Sequence, residues 1–268
     1  MMKLIADSSA NLTMLEGVTY QSVPMIIRAG ERDFVDDETL DTHELLDYLA
    51  AHNGKSGTAC PSLDGWLKAF EGADEIFVIT ITSSLSGTCA SAMAARDVYL
   101  QSHPEVKIHI FDTLSTGPEM QLLAEKLAEL HAKGLPFDVI CEKAQEYLAT
   151  THLFFSLKSL HNLAQNGRVS KIAAGAIGIL GIQILATAVL RARSSPLKNA
   201  AAKKKRARRW YRSFWKLATT AARCASTTPK IQRRLGRSPL RCAGTFPKQT
   251  LRSVPAVVFA ATMPSAAA

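Results

Sequence analysis

Residues 75–91 read EIFVITITSSLSGTCAS, and the parsing of this stretch decides the fold. After Glu75 the run IFVIT is apolar or β-branched throughout, the pattern of a strand buried on both faces. Five of the seven residues from Thr82 to Thr88 then carry hydroxyls, and GTCASAMAARDVYL continues with a helical pattern. A strand that turns directly into a helix is the repeating unit of a sheet with helices on its faces.

The same alternation extends in both directions. KLIAD (3–7) and VKIHIFDT (106–113) read as strands, and YQSVPMIIR (20–28) as one more. THELLDYLAA (42–51) predicts a helix with Leu45, Leu46 and Leu49 on one face. SLDGWLKAF (62–70) predicts a second that Ser62 caps, and PEMQLLAEKLAELHAKG (118–134) a long amphipathic one stopped by Gly134. Alternating strands and helices imply an α/β fold with a mainly parallel sheet covered on both faces.

In such sheets ligands bind beyond the carboxyl ends of the strands. Three polar turns should meet there: Asp7-Ser8-Ser9, Thr82 to Thr88, and Asp112-Thr113. The segment GKSGTACPS, which carries Thr58, is a fourth candidate. The hydroxyl turn, with the N–H groups and positive dipole end of the helix after Gly87, suits a carboxylate or phosphate. The same hydroxyls also suit plain helix capping and turn formation. Composition alone favours the capping role.

Other chemistries find no support. SLSGT lacks the spacing of a nucleophile elbow, and neither GxGxxG nor a Walker phosphate loop is present. The seven histidines form no HExxH pair and fall mostly at helix ends or surface-like positions. The five cysteines, Cys60, Cys89, Cys141, Cys224 and Cys242, form no CxxC pair and read as reduced thiols, so no metal site is expected. The start of the chain has neither the apolar core nor the cleavage site of a signal peptide, so the expected location is cytoplasmic.

With 268 residues, 47% hydrophobic and 21% charged, the chain is large enough for two domains. Its net charge of +9 is unevenly spread. Of 32 Lys and Arg, 13 lie at or before Ile182 together with all 23 Asp and Glu, which makes that part −10 and the remainder +19.

The motifs resemble those of the DegV proteins, the fatty-acid-binding family that includes the lipid-carrying subunits of bacterial fatty acid kinase. TSSLSGT (82–88) resembles the family's S-S-x-L-S-G-T signature, and IADSSANL its D-S opening. TACPS resembles its T-S-Q-P turn, and FDTLSTGPEM stands at its Asp-Ser turn. SLKSLHNLAQNGRVSK resembles the L-x-x-L-x-x-G-G-R-I segment that opens the second domain. The likeness runs from about residue 2 to 186. It implies an N-terminal α/β domain over 1–150, the start of a second α/β domain over 151–186, and a remainder, 187–268, of uncertain fold that leaves the second domain incomplete.

The resemblance further implies a protein that holds one long-chain fatty acid between two domains and presents its carboxylate to the catalytic subunit of a fatty acid kinase. Such a chain carries no catalytic residue, no metal and no cofactor, and touches membranes only transiently. By position, Thr58 and Ser83 match the hydroxyls that bind the carboxylate, Ser86 and Gly87 shape the same turn, and Arg168 matches the arginine at the domain junction. Three positions depart from the family pattern. Cys60 replaces a Gln, Thr82 a Ser, and Asn166 the first Gly before Arg168; Thr82 keeps a hydroxyl and Asn tolerates positive φ, so those two changes are mild.

Beyond Ala186 the composition changes. IAAGAIGILGIQILATAVL (172–190) carries no charge and reads as core rather than a membrane span, because in the family this region is a buried helix passing into a strand. After His161 there is no Asp, Glu or His. The Arg, Ala, Pro and Ser content is what a GC-rich gene gives in a shifted reading frame, which places a frame change near codons 183 to 190. Read instead at face value, Lys203 to Arg212 with Trp210, Tyr211, Phe214 and Trp215 is the alternative site, for nucleic acid or an anionic membrane. Dense basic runs are more often solvated than bound.

Overall fold

The computed structural model describes residues 1–52, 54–157, 161–168, 184–187 and 257–262. All of them belong to one compact unit, Met1–Leu190 together with Arg241–Ala268. The basic run at 203–212 and the proposed frame change near 183–190 lie outside the described residues, apart from 184–187.

The first sheet is built from β1 (Met2–Asp7), β2 (Thr19–Val23), β6 (Glu75–Thr80) and β7 (Lys107–Asp112), in the order β2-β1-β6-β7, with every neighbouring pair parallel. Side chains alternate between its faces along each strand. Leu4, Ala6, Phe77 and Ile79 pack with Met120, Leu123 and Leu127 of α4 (Pro118–Ala132) and Ile140 and Leu148 of α5 (Phe137–Thr150). Ile5, Ile76, Val78 and Ile110 face the other way, onto Trp66 and Phe70 of α2 (Leu63–Phe70) and Ala92, Ala95 and Tyr99 of α3 (Thr88–Ser102). The parallel sheet covered on both faces is therefore present as the alternation predicts.

Caps and breakers set the local boundaries. Ser62 accepts from Gly65 N at 3.1 Å, as expected of an N-cap, and starts α2. YQSVPMIIR is two strands rather than one. Pro24 has no N–H to give a ladder, so β2 ends at Val23 and β3 (Ile26–Ala29) begins in a second sheet. There β3 lies antiparallel between β4 (Arg32–Val35) and β5 (Ser56–Ala59). On α1 (Thr42–Ala51), Leu45 is buried and Leu49 half-buried, but Leu46 is exposed. The expected three-leucine face is narrower because Tyr48 takes part of it, its ring tilted against that of Phe34 and its hydroxyl donating to Ala29 O at 3.2 Å.

After α5 the chain enters β8 (Thr151–Leu157) and then α6 (His161–Gln165). β8 lies antiparallel between β9 (Ile184–Thr187) and β10 (Val257–Thr262). β9 is the described part of the apolar run 172–190, and it is a strand. Among the described residues no helix is long and apolar enough to cross a membrane.

Candidate functional site

Register brings the polar turns together. Ala6 pairs with Ile79, and Thr80 with Asp112, so β1, β6 and β7 end level with one another. Asp7 closes β1 and is wholly buried. Its carboxylate accepts from Ser9 N at 3.0 Å, from the Ser9 hydroxyl, and from Ile81 N at 2.7 Å at the start of the hydroxyl turn. Burial pushes the Asp7 carboxyl above its ordinary range, and the hydrogen bonds from Ser9 and Ile81 pull the other way. From the third turn, Asp112 Oδ1 accepts from Ser83 N at 3.1 Å and Ser115 O from Thr82 N at 2.8 Å.

The hydroxyls of the turn then divide. Thr82 is buried, and its Oγ1 accepts from Ser84 N at 3.3 Å. Ser86 Oγ lies 2.8 Å from Oγ1 of the buried Thr88 and accepts a long bond from Thr88 N at 3.4 Å. These three carry out the capping and turn-forming role. Ser83 and Ser84 are exposed and line a pocket of about 590 Å³. Gly87, the residue before α3, supplies no side-chain cap, so nothing of its own covers that helix end.

The pocket brings together all five residues singled out by position: Thr58 from β5, Ser83, Ser86 and Gly87 from the turn, and Arg168 from the turn after α6. Arg168 is held by its Nε, which donates to Leu85 O at 2.9 Å, and its backbone N donates to Leu163 O at 2.8 Å. Asn166 Nδ2 reaches Ser56 O at 2.8 Å and Asn162 O at 2.8 Å. The positive φ falls on Gly167 (70°) and not on Asn166. Asn166 thus fits without adopting a left-handed backbone, and its side chain bridges its segment to β5.

Cys60, Ser84, Leu85 and Ala90 also line the pocket without having been assigned to it from the sequence. For Ser84 the signal was present, since it stands in the hydroxyl run. Cys60 stood out only as a departure from a motif, and its Sγ lies 3.7 Å from where a Cβ on Gly87 would sit. Cys60, Cys89 and Cys141 are free thiols, while Cys224 and Cys242 lie outside the described residues. Burial raises the Cys89 and Cys141 thiols, the latter to about 11. Among the described residues no group of three or more His, Cys, Asp or Glu is arranged to hold a metal ion.

The family pattern described as an uncharacterised protein of the DegV family matches residues 1–225. The chain belongs to the DegV family. That match continues past residue 186, where the sequence motifs end. A DegV domain-containing protein of Streptococcus pneumoniae is 35% identical over 257 residues, covering 94% of this chain and 92% of its own length. A DegV domain-containing protein of Streptococcus gordonii is 38% identical over 69% of this chain and 68% of its own. Among solved structures, a DegV family protein of Eubacterium eligens loaded with heptadecanoic acid matches at 49% identity and TM-score 0.68, covering 70% of this chain and 68% of that one. The fatty acid kinase B3 protein of S. pneumoniae, loaded with linoleic acid, matches at 41% identity and TM-score 0.68 with the same coverage. This DegV chain therefore shares its fold with proteins crystallised with long-chain fatty acids.

Proposed function

We propose that this DegV protein binds one long-chain fatty acid, holding its carboxylate in the pocket of Thr58, Ser83, Ser86, Gly87 and Arg168. The observation that carries this reading is the convergence of those five residues, drawn from β5, the β6–α3 turn and the segment after α6, on one pocket at the start of α3. The tail supplies most of the affinity, at about 0.8 kcal/mol for each buried CH₂. A carboxylate leaving water costs several kcal/mol unless donors replace its hydration. The Thr58 and Ser83 hydroxyls, the N-terminal amides of α3 and the Arg168 guanidinium are those donors.

The reading includes presentation of the bound carboxylate to a partner kinase that brings its own nucleotide site. In that scheme the chain is a lipid-carrying subunit and leaves the chemistry to its partner. The likeness to the S. pneumoniae kinase B3 protein supports this part.

The test is mass spectrometry of organic extracts from the denatured, purified protein. A long-chain fatty acid is expected at close to one equivalent, and the Ser83→Ala variant should yield less of it while keeping its circular dichroism. Recovery of no fatty acid, together with failure to take one up from added palmitate, would sink the proposal.

A further inference from the structure

The Ser83 turn is braced by the turn that follows β7. Asp112 ends β7 opposite Thr80. Its Oδ1 accepts from Ser83 N at 3.1 Å and from Leu114 N at 3.2 Å. The adjacent amide, Thr82 N, donates to Ser115 O. Two consecutive amides of the hydroxyl turn are therefore held by residues 112–115. That brace is itself fixed to β6, since Thr113 Oγ1 donates to Thr80 O at 2.8 Å and accepts from Ser115 N at 3.2 Å. It also contains a non-glycine residue in the left-handed region, Leu114 at φ 51°. A leucine holds that conformation only where its surroundings impose it, and the Asp112 carboxylate accepting Leu114 N is one such constraint.

We propose that Asp112 is a positioning residue for the ligand carboxylate, acting through Ser83. This rests on the fatty-acid reading of the pocket. Because the Ser83 amide is occupied by Asp112, Ser83 offers the ligand its hydroxyl, and the tether fixes where along the pocket wall that hydroxyl stands. A carboxylate near a site for another carboxylate is unfavourable electrostatically, and the two amide hydrogen bonds it accepts offset that cost. The hydrogen bonds, not the charge, are then the useful property of Asp112.

The experiment is palmitate binding to the delipidated full-length chain by isothermal titration, with melting temperatures measured in parallel. Asp112→Asn keeps an acceptor oxygen and should bind within about threefold of the wild type, whereas Asp112→Ala should lose about tenfold. In a Ser83→Ala background, Asp112→Ala should cause no further loss, because its effect passes through that residue. Wild-type affinity in Asp112→Ala, an equal further loss in the Ser83→Ala background, or a tenfold loss in Asp112→Asn would each overturn the assignment. If the Ala variant does not fold, Asp112→Asn still tests the assignment, because a tenfold loss there overturns it. A wild-type chain that takes up no palmitate would instead remove the fatty-acid reading, and the assignment with it.

Discussion

Asp7 and Ser83 lie at the ends of adjacent strands, yet they stand in opposite surroundings. Ser83 is exposed at the pocket, while Asp7 is wholly buried and receives amide and hydroxyl hydrogen bonds from two turns. Burial dominates at Asp7 and raises its carboxyl above the ordinary 3.8. The folded protein then holds this proton more tightly than the unfolded chain does. Its contribution to stability is full below the ordinary carboxylate value and is lost as pH rises through the raised one. NMR titration of the Asp7 carboxyl carbon should give a midpoint above 3.8, and a midpoint below it would show that the Ser9 and Ile81 hydrogen bonds outweigh burial. Asn166 also belongs at this scale. Its amide side chain, bonded to Ser56 O and Asn162 O, ties the segment after α6 to β5, and the positive φ falls on Gly167.

Among the elements, α2 is the one whose start and inner face can both be read from nine residues. Ser62 caps it, and Trp66, Ala69 and Phe70 follow at helical spacing and are fully buried. Ser62→Ala should cost about 1 kcal/mol, measured as a lower urea midpoint with an unchanged m-value. The pocket lined by Thr58 and Ser83 should be unaffected, since Ser62 does not line it. By contrast, α5 went unassigned although Phe137, Ile140, Ala144 and Leu148 recur at helical spacing and are buried. Its signal was as local as that of α2. The three-stranded sheet of β3, β4 and β5 was not legible, because four-residue strands carry too little alternation to mark a face. Thr58 owes its place at the pocket to that sheet, where it pairs with Ile27.

For the whole molecule, β10 links residues 257–262 to β8, more than a hundred residues earlier. Truncation after residue 240 removes β10 and leaves one edge of β8 without its partner. The truncated chain should therefore melt several degrees lower than the full chain, for a loss on the order of 1 kcal/mol, and an unchanged melting temperature would mean that the pairing adds nothing to stability. The sequence by itself determined the α/β class and the parallel sheet, because strand runs and caps are written over a few neighbouring positions, while the five residues that line the pocket were singled out through the family resemblance of short motifs. Only the tertiary structure decided that Arg168 meets Leu85, that Asp112 holds Ser83, and which hydroxyls face the pocket while others serve the turn. Those pairings join residues 29 and 83 positions apart, and they arise from how strands align and helices pack, which no local pattern of side chains encodes.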